Sequence, residues 1–301
     1  MGHDHAHGRA GDRRRLVLAL VLSAVVIVVE LVGAWLAGSL ALLGDAGHVA
    51  TDTASMLLAL GASYVAARPA GPRSTFGYHR AEILAATVNA VVLLGVCGYL
   101  VYAGVHRLMS PVDVASAPLV GFGLLGLAAN AGAVVLLTRG TDSLNMRAAA
   151  TEAVSDAFGS LLAVAAGVVI AATGWHRADP VASLAIAALI LPRSVYLLKE
   201  ALVVLLELAP KGLSLDDVRD ELMAVDGVAD VHDLHAWTIT SGLPSLSAHV
   251  TVTDDCLANH GAGPVLDQLC EVVSDRFGVR HATFQIEPAT HHAHEDLGDV
   301  H

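Results

Sequence analysis

Aromatic residues are scarce in this chain, at 4% of 301 residues. Charge is scarce as well, at 15% against the roughly 25% of an average soluble domain. Cysteine is nearly missing: Cys97, Cys256 and Cys270 form no CxxC pair. That rules out a disulfide-stapled fold and leads us to expect a reducing compartment for the soluble part. No HExxH motif, Walker loop or nucleophile elbow occurs, so neither an ATP-driven pump nor a familiar hydrolase is expected. Gly121-x-Gly123-x-x-Gly126 fits a dinucleotide pattern but follows no strand and lies in an apolar stretch. Close helix packing accounts for it better, and no nucleotide partner is expected.

What the chain has in abundance is apolar residues, 54% of the total, with a mean hydropathy of +0.60. A disordered chain, an ordinary soluble enzyme and a nucleic-acid binder are all poor fits. The net charge is nevertheless −12. Residues 1–208 balance 13 Lys/Arg against 13 Asp/Glu, whereas 209–301 hold 4 against 16. The chain therefore divides near Pro210 into a neutral apolar part and an acidic polar part. The expected domains are a histidine-containing tail at 1–15, a membrane domain at 16–208, a soluble domain at 209–288, and a His/acid-rich tail at 289–301.

A membrane-crossing helix needs about 20 mostly apolar residues. Six candidates occur, at 16–37, 41–67, 81–108, 115–138, 148–173 and 180–203. Pro192-Arg193 interrupts the sixth. The first run follows Arg13-Arg14-Arg15 and has no small-residue cleavage site, so a cleavable signal is not expected. Loops on the N-terminal side carry nine Lys/Arg against two on the other. Both termini, and with them the acidic domain, are then expected in the cytoplasm.

Ionisable residues inside such spans are costly and point to function. Span 2 holds His48 and Asp52; span 5 holds Glu152 and Asp156. Each pair is four residues apart, which puts its members one turn apart on one helix face. Together they offer one imidazole and three carboxylates, a set that suits a four-coordinate divalent metal. Small neighbours, such as Ala50 and Thr51 or Gly159 and Ser160, let the helices approach. The structural alternative is a polar contact that fixes packing. Glu30 and Asp45 stay open among packing, proton access and an outer-side charge. Glu82 is read as a salt-bridge partner, a helix N-terminal charge or an ion attractor.

After Pro210 the pattern becomes helix 215–224, strands 228–240 and 246–253, helix 263–277 and strand 282–287. This order fits a small α+β, ferredoxin-like domain. His232, His235, His249, His260, His281, Glu287, Asp233, Asp254 and Asp255 are its candidate ligands. Alternation along the first strand predicts His235 on the face opposite His232. Histidines at both termini, His3 to His7 and His291 to His294, could capture cations weakly.

Three motifs carry a family resemblance. Ser39-Leu-Ala-Leu-Leu-Gly-Asp45-Ala-Gly-His48-Val-Ala-Thr-Asp52 resembles the second transmembrane helix of the cation diffusion facilitator family of zinc transporters. Phe76-Gly-Tyr78-His79-Arg80-Ala-Glu82 resembles the start of its third helix. Val231-His232-Asp-Leu-His235-Ala-Trp237, with Ser247-Ala-His249-Val, resembles its cytoplasmic domain. The resemblance implies a homodimer with six helices and a ferredoxin-like domain per protomer, exchanging a divalent cation for protons. It implies a transport site of His48, Asp52, Glu152 and Asp156. Glu152 departs from the pattern, because zinc-type members usually have histidine or aspartate there. It also implies a cytoplasmic metal site of His232, His249, His281 and Glu287. The expected function is proton-coupled export of divalent metal across the plasma (inner) membrane, not enzymatic catalysis. Zinc is the first expectation, as substrate and regulator, with Cd2+, Co2+, Fe2+ and Mn2+ as alternatives. The rival readings are a passive metal channel and a membrane-bound metal sensor.

Overall fold

The computed structural model describes residues 4–139 and 144–292. The chain separates into two compact units, Met1–Gly61 with Ala85–Leu198, and Ala62–Leu84 with Lys199–His301. His3, the side chains of His5 and His7, and residues 293–301 lie outside what the structure describes, so the expectation for the histidine tails falls there too.

Six long helices come first: α1 Asp4–Ala37, α2 Leu40–Ala66, α3 Ala81–Met109, α4 Ser116–Thr138, α5 Leu144–Thr173 and α6 Ala178–Leu205. All six are long and apolar enough to cross a membrane. The first span, Arg15–Ala37, agrees with the expected 16–37, and its helix extends upstream to Asp4. The sixth differs from the sequence expectation. Helix α6 runs straight through Pro192. Membrane helices tolerate such a proline, which here removes the amide donor of the Ala188 carbonyl.

Within the first unit, α5 is the most enclosed helix: half of its apolar window is buried, more than in any other span. The core is built largely from alanine, including Ala41, Ala163, Ala166 and Ala182. Small residues allow backbones to approach in lipid, where there is no hydrophobic drive between helices. Gly123 serves the same end, since a Cβ there would overlap Val164.

One carboxylate ties this unit across its sequence. Asp179, in the first turn of α6, is fully buried. It accepts hydrogen bonds from Leu40 N at 2.8 Å, Ala41 N at 3.2 Å and Ser39 Oγ at 2.5 Å. It thereby caps the N-terminus of α2, whose first amides have no partner within their own helix. Arg107 approaches Asp179 at 3.6 Å and donates to the Gly38 carbonyl at 2.7 Å.

The second unit contains α7 Leu215–Met223, β1 Val228–Thr240, β2 Leu243–Val252, α8 Asp254–Asn259, α9 Ala262–Phe277, β3 His281–Pro288 and α10 Ala289–His292. The sheet order is β1-β2-β3, with β1 antiparallel and β3 parallel to β2. Thr240 pairs with Leu243, so Ser241-Gly242 is a two-residue turn, with Gly242 at φ 77°. The α+β expectation holds, with α8 as an addition. Thr253 starts α8 by accepting from Cys256 N, a cap legible in Thr253-Asp254-Asp255. Val218 and Leu222 of α7 and Leu269 and Val273 of α9 pack on Leu246 and Val250 of the sheet. The helices thus cover one sheet face and leave the other to polar side chains.

Asp179→Ala should strip α2 of its cap and leave buried amides and Arg107 without their acceptor. A loss of about 3–5 kcal/mol is expected, read as a lower unfolding temperature of the purified protein in detergent. Asp179→Asn keeps one acceptor oxygen and should lose less.

Candidate metal centres

Helices α2 and α5 bring their polar faces together inside the first unit. His48 is the pivot. Its Nδ1 lies 3.4 Å from Asp52 Oδ2, one turn along α2, and its Nε2 lies 3.6 Å from Asp156 Oδ1 on α5. His48, Asp52 and Glu152 each offer a ligand atom within 4.8 Å of the others. Asp156 stands on the opposite edge of the imidazole. Three of the four expected residues therefore stand around the ring of the fourth, His48, and Asp52 and Glu152 form a single close cluster with it. His48 is 6% and Asp156 5% exposed, and Asp52 Oδ2 and Asp156 Oδ1 accept no hydrogen bond. Buried acceptors of this kind suit a cation that supplies the missing partner.

The sequence reading missed Arg193. Its Nη1 lies 2.5 Å from Glu152 Oε1 and 4.0 Å from Asp52 Oδ2. A signal was present. Ile186, Ile190 and Arg193 recur at helical spacing and line one cavity of about 350 Å³ together with His48. Treating Pro192 as a helix break hid that stripe. Glu30 and Asp45 do not join the His48 group; both meet at Ser160. Glu82 accepts from Ser63 Oγ at 2.8 Å and from Thr240 Oγ1 at 3.4 Å, so it sits in a hydrogen-bond network of the second unit.

A second cluster lies on the sheet face left open by the helices. His232 and His249 are register partners, with ring centroids 5.4 Å apart. Glu287 of β3 is 2% exposed and approaches both: His249 Nδ1 at 3.2 Å and His232 Nε2 at 3.8 Å. These three form a close ligand group. Asp233 adds a carboxylate 3.5 Å from His249 Nε2.

Two expectations need correction. His235 shares the face of His232 rather than opposing it. His232 pairs with His249 and His235 with Ser247, so three steps on β1 match two on β2. This is a β-bulge, and Asp233 within it has φ 47°, a conformation aspartate tolerates. His281 does not reach the cluster. It shares strand β3 with Glu287 but stands six residues away, about 20 Å along an extended chain. Its ring meets the Phe76 edge, with centroids 5.5 Å apart. Gln285, the register partner of His249, sits beside the cluster instead and donates to Glu287 Oε1 at 2.6 Å. His260 caps α8 and is absent from both ligand groups.

Comparison with known proteins bears on this arrangement. Residues 16–206 match the family described as the cation efflux transmembrane domain, and 210–289 match the cation efflux protein cytoplasmic domain. The chain belongs to the cation efflux family. Among its relatives in this family is the cation efflux system protein CzcD of Alcaligenes sp., 40% identical over 96% of this chain and 90% of that protein. The cadmium, cobalt and zinc/H(+)-K(+) antiporter of Bacillus velezensis is 35% identical over 97% and 93%. The zinc transporter ZitB of Escherichia coli is 36% identical over 95% and 93%. A solved metal-bound C-terminal domain of the CzcD transporter from Cuprividus metallidurans is 36% identical, covers 25% of this chain and 99% of that one, and gives a TM-score of 0.23.

As a cation efflux protein, the molecule is an integral membrane transporter of divalent metal ions and not an enzyme. Family membership also gives the apolar outer surface its meaning. Trp35, Leu60, Tyr64 and Tyr102 are among its most exposed side chains, and in a transporter such residues meet lipid.

The sheet geometry separates two substitutions. In a transport-silent background lacking His48, His249→Ala should abolish tight metal binding in equilibrium dialysis. His281→Ala should retain it within about twofold, since it leaves every cluster ligand in place.

Proposed function

We propose that the protein exports divalent metal, zinc first, from the cytoplasm in exchange for protons, with His48, Asp52, Glu152 and Asp156 as its transport site. The observation that carries this reading is the convergence of three carboxylates, Asp52, Glu152 and Asp156, around the buried His48 imidazole. Residues 16–208 serve as the transport domain and 209–288 as the cytoplasmic domain of a homodimer in the plasma membrane, with both termini inside. His232, His249 and Glu287 hold a regulatory ion. The tails at 1–15 and 289–301 collect cations. The names of the relatives, which include zinc, cadmium and cobalt transporters and an H(+)-K(+) antiporter, support this choice of substrate and coupling.

Proton coupling follows from the ligand chemistry. Metal needs a neutral imidazole and ionised carboxylates, so binding releases protons and acid displaces metal. Histidine ordinarily titrates near ~6.5, within the cellular range. Metal loading should therefore rise with pH on the cytoplasmic side, and acid on the other side should drive release.

Arg193 explains how the unusual Glu152 is accommodated. Three carboxylates and one guanidinium leave a charge of −2, which a divalent ion neutralises. Without Arg193 the loaded site would carry an excess negative charge in a low-dielectric bundle, at a cost of several kcal/mol. Cadmium, cobalt, iron and manganese fit the same mixed nitrogen and oxygen donors.

The reading is tested in proteoliposomes with an imposed pH gradient. His48→Ala and Asp156→Ala should abolish gradient-driven zinc uptake. Uptake that needs no proton gradient would mark a channel instead. Glu152→Gln and Arg193→Gln should each reduce uptake about tenfold or more, and the double variant should stay low, because restored charge balance does not replace a lost ligand oxygen. Recovery in the double would make Glu152 a charge-balanced neighbour rather than a ligand. Glu152→His should shift metal competition towards zinc over manganese, because imidazole is the softer donor.

A further inference from the structure

Away from His48, the bundle holds a second polar cluster that metal coordination does not use. Glu30 of α1 and Asp45 of α2 are both fully buried. The Ser160 hydroxyl of α5 lies 2.7 Å from Asp45 Oδ2 and 3.1 Å from Glu30 Oε1. A hydroxyl has one hydrogen, so it donates to one of them at a time. Asn130 of α4 donates its amide to Ser160 Oγ at 3.2 Å, not to either acid. Glu30 Oε2 and Asp45 Oδ1 are buried and accept no hydrogen bond. Two acids thus share a single protein hydrogen in a place where an unpartnered carboxylate is strongly disfavoured.

Space is short as well. A Cβ at Gly159 would collide with the Asp45 carboxylate, and one at Gly126 with that of Glu30. These two glycines admit the acids into the bundle and press against them from α5 and α4. A proton needs no volume there, whereas an alkali cation with its ligand shell does.

We propose that Glu30 and Asp45 form a carboxyl pair that holds one proton, an ion site separate from the metal centre, and that this proton is expelled when a divalent cation arrives at His48. Among the described residues, the remaining charged group facing the pair is Asp156 of α5; α4 presents the neutral Asn130, while α1 and α2 present the two acids themselves. Asp45 stands one turn from His48 on α2, and Ser160 one turn from Asp156 on α5. Positive charge at the metal centre therefore favours ionisation of the pair. The carboxylic O–H bond breaks, its electrons stay on the carboxylate, and the proton leaves to solvent. When the metal departs, a proton from solvent restores the pair. This rests on His48 being a metal ligand, and the test separates the two claims.

The full-length protein in lipid nanodiscs, titrated with zinc, should lose a protonated-carboxyl stretching band in infrared difference spectra. The band should vanish in Glu30→Gln and Asp45→Asn and shift in Glu30→Asp, which keeps the acid. Glu30→Gln should bind as much zinc as the wild type while releasing about one proton fewer per ion, counted with a pH dye. A wild-type spectrum with no such band overturns the proposal even if the variants do not fold. So does a band that survives in both variants, or a sodium- or potassium-dependent signal lost in Glu30→Gln. Zinc binding undiminished by His48→Ala, measured with His249→Ala to silence the sheet cluster, would count against the metal centre instead.

Discussion

An ionised side chain surrounded by hydrocarbon must find its neutralising partner inside the protein, and that requirement organises the helical part of this chain. The bundle meets it in different ways for different acids. Asp179 turns to the open amides at the start of α2, with Arg107 beside it. Glu152 takes the guanidinium of Arg193. Asp52 and Asp156 take the two edges of one imidazole. Of these three arrangements, the last leaves buried acceptor atoms, Asp52 Oδ2 and Asp156 Oδ1, without a hydrogen bond. Under the proposed function, the distinction between an acid that holds the fold together and one that handles cargo therefore lies in the partner and not in the depth of burial.

The sheet solves a different problem with the same economy. Its helices pack on a single face, so Val231, Leu246 and Val250 are core while His232, His249 and Glu287 fall on the other side. Alternation along two paired strands brings ligand-type residues together without a dedicated loop. The bulge at Asp233 then adds a third imidazole, His235, to that face, where it contacts Asp233 at 2.8 Å. A rigid sheet is a precise platform for a metal, since neighbouring strands fix the spacing of its ligands.

Much of this was legible in the residues. Helix existence followed from the long apolar runs, and the pairs His48/Asp52 and Glu152/Asp156 announced themselves by four-residue spacing in a sparsely charged setting. The strands were legible because period-2 alternation is strong from Val228 onwards. Three features were not. Arg193 follows a proline, and local rules read proline as an end, whereas a bundle can carry a helix through it. The His235 side was misjudged because a one-residue bulge reverses every parity after it, and a parity count assumes there is none. His281 carries the right chemistry at the wrong distance: sequence records ligand type, but reach along a strand is set by geometry.

The cap on α2 also has a consequence in time. Asp179 lies 139 residues downstream of the Leu40 amide that it accepts. At ordinary rates of synthesis it leaves the ribosome on the order of ten seconds later. Meanwhile α2 is the span lipid favours least, with a mean hydropathy of 1.2 against 1.9–2.9 for the other five. The helix that carries His48 and Asp52 thus gains its N-terminal cap only when the start of α6 has been made. A nascent chain stopped short of Asp179 would hold His48, Asp52, Glu152 and Asp156 and still lack both the cap on α2 and the Arg193 partner of Glu152.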